Sequence, residues 1–321
     1  MQLQNNIENL LRCLERLKRP RRFSVAVMPD FFLDRIISVN RDVNGFAKTM
    51  DKVVARKGGS IDSVNQADFR GGNAANTTSA LATLGVEVYP ILETSLLGFE
   101  TLKFHFKALN VDLSQVKTHG ETSLTTALEF VSKKEKANVM LRNLGSLEKF
   151  GSKNLDAEDF ELLKRADYVC VFNWAGTRLY GTELAEKVFS YVKKHGKGKT
   201  YYDTADPTPN REKIQALIRK VFSTKIVDIL SVNENEATIY ANHLLSKIGK
   251  ATKQTKKSMT PIQCTKLLAE TLHTRVDLHT ARFAASQTKR AQKIVQAFKV
   301  PAMRVTGAGD AWNAGKISGE S

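Results

Sequence analysis

Short apolar runs alternate with segments of helical spacing through the second half of this chain, and that alternation limits the folds open to it. Residues 166–172, 200–202 and 226–230 are apolar runs too short for helices. Residues 183–194 and 211–221 carry apolar side chains at helical spacing between them. An apolar run of this length bounded by polar residues reads as a strand buried on both faces. Strands alternating with helices build a mostly parallel sheet with helices on both sides. The predicted fold class is therefore α/β. Such sheets bind ligands beyond the carboxyl ends of their strands, so residues that follow a predicted strand become site candidates.

Upstream the pattern is more varied. Residues 23–28 alternate like a strand, and 34–39 read as its continuation. Residues 53–61 read as two short strands around the Gly58-Gly59 turn. Residues 86–89, 124–131 and 137–141 are further strands, and 247–259 is a polar loop. With 321 residues, 42% hydrophobic and 26% charged, the chain can bury a full core, as one large domain or two smaller ones.

No apolar run approaches the roughly 18 residues that span a bilayer, and the start lacks a secretory signal pattern. Cys13, Cys170 and Cys264 form neither a metal pattern nor an even framework. Reduced thiols in the cytoplasm are the expectation. The net charge of +16 is spread along the chain, and its densest stretches have no interleaved aromatics. It is read as solvated surface charge that mildly favours anionic substrates, not as a nucleic-acid site. Residues 1–22 hold a basic amphipathic helix over 7–17, expected to pack on its own domain and not on a membrane.

Two glycine motifs carry the chemistry. Near the C-terminus the chain reads Thr306-Gly307-Ala308-Gly309-Asp310, then continues at helical spacing. Gly307, Ala308 and Gly309 leave the backbone open to close approach. The free N–H groups that start a helix attract an anion. Asp310 would stand beside that anion, and taken alone it could equally be an acid placed favourably at a helix start. An anion cradle next to a carboxylate is what phosphoryl transfer to a hydroxyl requires: charge stabilisation and a general base. The second motif is Gly71-Gly72-Asn73-Ala74-Ala75-Asn76, a glycine turn feeding a small-residue helix that closes at Gly85.

These motifs, in this order and with Asn233-Glu234-Asn235-Glu236 between them, resemble the PfkB, or ribokinase-like, family of sugar and nucleoside kinases. The resemblance runs from about residue 23 to the last residue. It implies a three-layer, Rossmann-like α/β domain over 23–321, with a small β-sheet lid built from segments around 36–70 and 123–141. It implies ATP or ADP as phosphoryl donor and a sugar or sugar derivative as acceptor, with a nucleoside kinase and an ADP-dependent sugar-phosphate kinase as alternatives. A homodimer through the lid is compatible with it. Asp310 is implied as the base, with Gly307, Ala308 and Gly309 as the anion hole. Asp34, Gly71, Gly72, Asn73 and Asn76 are implied in substrate binding, with Asp30 a competitor for the role of Asp34. Asn233, Glu236 and Thr306 are implied at the nucleotide, Glu236 holding Mg2+ through water. Asn233 and Glu236 would also make an ordinary helix cap.

Several positions depart from the family pattern. Asn73 stands where ribokinase-like members often carry lysine, so the substrate headgroup is expected to differ. Arg304 or Val305 replaces an aspartate associated with a monovalent cation, so little response to potassium is expected. Ala281 and Ala284 replace glycines beside the nucleotide, which leaves ATP and ADP both open. Trp174 follows a predicted strand and could stack on a sugar or base. Asp203 and Asp206 stand equally between supporting the site and forming a turn. The chain resembles archaeal-type members and looks short at its C-terminus. Residues 316–321 are expected to fray, and a non-catalytic homologue remains the rival reading.

Overall fold

In the computed structural model the described residues are 8, 11, 12, 23–62, 64–132, 135–247, 259–298 and 307–320. Glu8, Leu11 and Arg12 are helical and exposed. The rest of the helix expected over 7–17, and most of the loop at 247–259, lie outside the described residues.

The strands of the first half are β1 (Ser24–Met28), β2 (Phe32–Ser38), β3 (Asn65–Gly71), β4 (Glu87–Pro90), β5 (Leu92–Glu93), β6 (Val116–Lys117), β7 (Ser123–Ser132) and β8 (Glu135–Asn143). Those of the second half are β9 (Tyr168–Phe172), β10 (Lys199–Asp203), β11 (Ile229–Asn233), β12 (Arg275–His279), β13 (Phe283–Gln287) and β14 (Gln292–Gln296). The helices are α1 (Val43–Ala55), α2 (Asn73–Thr83), α3 (Leu96–Phe106), α4 (Ala157–Arg165), α5 (Gly181–His195), α6 (Ile214–Lys220), α7 (Glu234–Lys247), α8 (Pro261–Leu272) and α9 (Ala308–Ser318).

The main sheet runs β14-β13-β12-β11-β10-β9-β1-β4. All pairings from β4 to β12 are parallel, and β13 and β14 add an antiparallel edge. β9 shows why the sheet is covered on both sides. All five of its residues are buried. Successive strand side chains point to opposite faces, so Tyr168, Cys170 and Phe172 enter one apolar layer with Leu81 of α2 and Ile317 of α9. Val169 and Val171 enter the other, with Leu184 and Val188 of α5, Leu217 of α6, Tyr240 of α7 and Leu268 of α8. The three-layer α/β class expected from the alternation is the class observed.

A second sheet, β3-β2-β7-β8, stands apart from the first. Residues 34–39 were expected to prolong the first strand; instead the chain leaves the main sheet after β1, and β2 pairs with β3 and β7. The hairpin expected over 53–61 is also not found. Residues 43–55 form α1, whose first turn is capped by the Asp42 carboxylate accepting the Gly45 N–H at 2.6 Å. Its inward positions are Phe46, Thr49 and Val53, a helical spacing, and Phe46 packs edge-on against Phe130 of β7. The β-branched pair Val53-Val54 is the last turn of a helix, and Gly58 and Gly59 with positive φ follow it.

Gly72 connects β3 to α2 with φ at +96°, and a Cβ there would stand 2.8 Å from the Asp30 carbonyl oxygen. Gly72→Ala is expected to destabilise the protein by about 1–3 kcal/mol, the usual cost of a strained backbone position. Urea denaturation checks this through a lowered midpoint at unchanged slope, and an unmoved midpoint would show that the turn relaxes freely.

Candidate active site

The carboxyl ends of the parallel strands deliver the polar side chains of the site. The turn after β1 supplies Asp30, β10 ends at Asp203, β11 at Asn233 and β12 at His279. Three helices, α2, α7 and α9, start at this edge.

Asp30 is fully buried and accepts the N–H groups of Asn73 and Ala74, each at 2.8 Å, and the Asn173 amide at 2.8 Å. It thus satisfies the donors that open α2. Asp34, two pleats along β2, instead lines an open cleft of about 420 Å³. A Cβ on Gly71 would stand 2.0 Å from the Asp34 carboxylate. Glycine at that position leaves room for the acid, while Gly72 provides the turn.

α9 begins at Gly307 in the left-handed region, φ +90°, with no side chain capping its first turn. The N–H groups that open a helix have no intrahelical acceptor, so those of Ala308 and Gly309 are placed as the anion hole expected there would need. Thr306, expected beside them, and Arg304 and Val305 lie outside the described residues.

Asp310 sits in that first turn, nearly buried at 7% exposure. Its two oxygens accept the amide groups of Asn73 and Asn76, each at 3.0 Å. Burial pushes the Asp310 carboxyl up to about 7; the Asn76 and Asn73 hydrogen bonds pull it down, and the charges of Asp203 and Asp30 push it further up. A base with that affinity takes a proton near neutral pH.

The rest of α9 is fixed by a residue the sequence reading did not single out. Asn313 is fully buried, donates to the Asp203 carboxylate at 2.8 Å, and accepts from Tyr201 and Ser231 hydroxyls at 2.8 Å each. It lies one turn beyond Asp310 on the same helix face, and that spacing could have flagged it. The helix end does not fray as expected. Glu320 accepts from Lys199 at 3.3 Å and Tyr168 at 3.2 Å and pairs with Arg275, while Lys316 lies 3.6 Å from Asp277.

Asn233 and Glu236 make a reciprocal helix cap. The Asn233 side-chain oxygen accepts the Glu236 N–H at 3.0 Å, and the Glu236 carboxylate accepts the Asn233 N–H at 3.0 Å and its amide at 2.6 Å. These residues do not line the Asp34 cleft. Burial raises the Glu236 carboxyl, and the charges of Asp203 and Asp206 raise it further. Asp203 therefore acts on both Glu236 and Asp310. Asp206 is exposed and accepts from Thr208, forming a turn. Trp174 does not stack on a ligand: it is 1% exposed and donates its indole N–H to Thr182 at 3.0 Å.

The cleft brings together Asp34, Arg70, Asn76, His105, Gly307 and Asp310. Asn73 joins them through Asp310, while Gly71 and Gly72 do not line the cleft and instead make room for Asp34 and for the turn into α2. A helix start with no side-chain cap beside a neutral-range carboxylate, at the carboxyl edge of a three-layer sheet, is the arrangement expected of a phosphotransferase of the α/β class. The chain belongs to the PfkB family of carbohydrate kinases, whose family model matches residues 38–320. Enzymes of this family transfer phosphate to a hydroxyl.

Among solved structures the fold resembles ribokinase from Thermotoga maritima, with a TM-score of 0.63, 18% identity, and coverage of 94% of this chain and 86% of that one. Adenosine kinase from Sinorhizobium meliloti gives a TM-score of 0.68 at 14% identity, covering 94% and 88%. Arabidopsis thaliana ribokinase, complexed with ribose and ATP, gives 0.62 at 19%, covering 93% and 85%. At these identities the likeness is one of fold. None of the curated proteins matches significantly.

Asp310→Asn is expected to keep the fold and lower turnover by roughly a hundred- to ten-thousand-fold, the usual worth of a general base. In the wild type, kcat/KM should fall tenfold per pH unit below about 7, because the raised carboxyl is protonated there and cannot accept the hydroxyl proton. A pH–rate profile flat down to pH 5 would take Asp310 out of the mechanism.

Proposed function

We propose that this chain phosphorylates a hydroxyl of a sugar or sugar derivative, using ATP or ADP as donor. The observation that carries the reading is the placement of Asp310. Its carboxylate stands at the uncapped start of α9, in the cleft that Asp34 also lines.

In this reading Asp34 grips acceptor hydroxyls by charge-assisted hydrogen bonds. Asn76 and Asn73 hold the Asp310 carboxylate, and the acceptor hydroxyl replaces one of these amides as it binds. Asp310 takes the hydroxyl proton as the oxygen attacks the terminal phosphorus of the donor. The bond from that phosphorus to the bridging oxygen breaks, so that ADP (from ATP) or AMP (from ADP) leaves with the electron pair. The N–H groups around Gly307, Ala308 and Gly309 receive the charge on the transferred group. The sheet β3-β2-β7-β8 acts as a lid that excludes water over the acceptor, and it offers a face for a homodimer.

The nucleotide would lie toward Asn233 and Glu236, and Mg2+ fits there. Asp203, Asp206 and Glu236 present carboxylate oxygens, the donors that this cation takes. Burial raises the Glu236 carboxyl first, the charges of Asp203 and Asp206 raise it further, and a cation would offset those charges. Among the described residues no three His, Cys, Asp or Glu side chains form a group that could hold a metal ion, so Mg2+ bound there would need ligands from phosphate and water as well. When bound, it would offset phosphate charge. No described helix is long and apolar enough to cross a membrane, and a cytoplasmic location and the absence of a nucleic-acid role complete the proposal.

The test is a panel of sugars, sugar phosphates and nucleosides against ATP and ADP with magnesium. Phosphorylation of a sugar or its derivative is expected, with EDTA abolishing it and Glu236→Gln raising the magnesium needed. Binding of a sugar without turnover under any donor would establish a non-catalytic homologue. For the best acceptor, Asp34→Asn should raise KM by roughly ten- to a hundredfold, the worth of a hydrogen bond to a charged group, with a smaller change in kcat. Steady-state kinetics at saturating nucleotide checks this, and an unchanged KM would remove Asp34 from acceptor binding.

A further inference from the structure

Arg70 stands in the cleft without a task in the transfer just described. It lies near the end of β3, paired in register with Leu33 of β2. Its guanidinium lies over the Phe106 ring, 5.2 Å from carbon to ring centre, and Nε points to the Asn76 side-chain oxygen at 3.4 Å. The side chain is partly buried. Among the described residues it forms no ion pair within 4.0 Å, and its Nη groups donate to no protein acceptor. The neighbouring acid is already used: Asp68 receives two bonds from Arg35, at 2.7 and 2.8 Å. Asp310 acts on Arg70 only through its field.

A second hydrogen-bonding side chain stands beside it. His105 of α3 lines the same cleft, and burial, then the charge of Arg70, lowers its proton affinity, which a bound anion would raise again. Drawing a guanidinium partly out of water without a carboxylate partner costs stability, and packing on Phe106 needs only an apolar side chain. A planar fork with free N–H groups matches a phosphate or carboxylate through two parallel hydrogen bonds. The chain's excess of positive charge would draw such a ligand in.

We infer that Arg70, with His105 beside it, binds an anionic group carried by the acceptor, so that the acceptor is a sugar phosphate or a sugar acid. This rests on the kinase reading above and narrows it. Asp34 would grip the hydroxyls, Arg70 the anion, and Asp310 the hydroxyl that is phosphorylated. The anionic group stays on the acceptor throughout and takes no part in bond making.

The experiment uses the full chain and two readouts. The first is kinetics with neutral pentoses and hexoses, their phosphate esters and their aldonic acids, on wild type, Arg70→Gln and Arg70→Lys, each with its thermal melt. The wild type should prefer an anionic member over its neutral parent by roughly tenfold or more in kcat/KM, as one charge-assisted pair allows. Arg70→Gln should erase that preference through KM, leave Mg-AMP-PNP affinity unchanged, and be partly rescued by lysine. The second is inorganic phosphate titrated into each protein while the His105 imidazole is followed by NMR, with a shift expected in the wild type and none in Arg70→Gln. A preference for neutral parents would overturn the inference. So would an Arg70→Gln defect in nucleotide affinity, or in kcat on every acceptor alike, which would assign the guanidinium to the transferred phosphoryl group. If phosphate shifts His105 but nothing on the panel is phosphorylated, the kinase reading fails while the anion site stands.

Discussion

Two amide-to-carboxylate hydrogen bonds, from Asn73 and Asn76 to Asp310, join the two helices that make the site. They close a chain of fixed contacts that begins in the sheet. Asp30 anchors the start of α2 from the end of β1, and Asn313 anchors α9 to β10 and β11. The carboxylate is therefore held between elements whose other faces are buried. Its elevated proton affinity comes from that same burial, offset in part by the two amides. A base exposed to water would stay a weak one, and a buried base without the amides would be costly to ionise.

The distribution of acids around the site follows the same logic. Asp203 sits between Glu236 and Asp310 and raises both. Its charge is held by Asn313 on one oxygen and by the Ala205 N–H on the other. The arrangement concentrates negative charge on the side where the proposed donor and cation would enter. On the proposed acceptor side, Asp68 is paired with Arg35, while Arg70 has no ion pair within 4.0 Å among the described residues and feels Asp310 only through its field. The two ends of the site thus differ in electrostatic character, and in the proposed reading that difference would sort the ligands.

Much of the fold was legible because buried strands must be apolar on both faces. The runs at 166–172 and 200–202 could not be anything else between amphipathic helices. The glycine motifs were legible because close backbone approach and positive φ restrict a position to glycine, as Gly72 and Gly307 confirm. What sequence could not separate was Asp30 from Asp34, since both follow the first strand. The pleat and the start of α2 decide it, putting one acid under a helix and the other in the cleft. α1 was missed because Val53-Val54 favours a strand locally, whereas Phe46 packing on Phe130 selects a helix. Trp174 was misjudged because an aromatic after a strand looks like a stacking platform, while the partner that buries it, Thr182, comes from the following helix. Asn313 has its partners, Asp203, Tyr201 and Ser231, far away in sequence, and the packing of Arg70 on Phe106 joins two elements that no local pattern links.

The account turns on a carboxylate whose proton affinity is set by burial against two amides. The most direct measurement is a titration of the Asp310 side-chain carboxyl by carbon-13 NMR in the free protein, assigned through Asp310→Asn. The account predicts a midpoint at about 7, moving upward in Asn76→Ala because that variant removes a hydrogen bond to the charged form. A midpoint in the ordinary aspartate range, unmoved by Asn76→Ala, would contradict it.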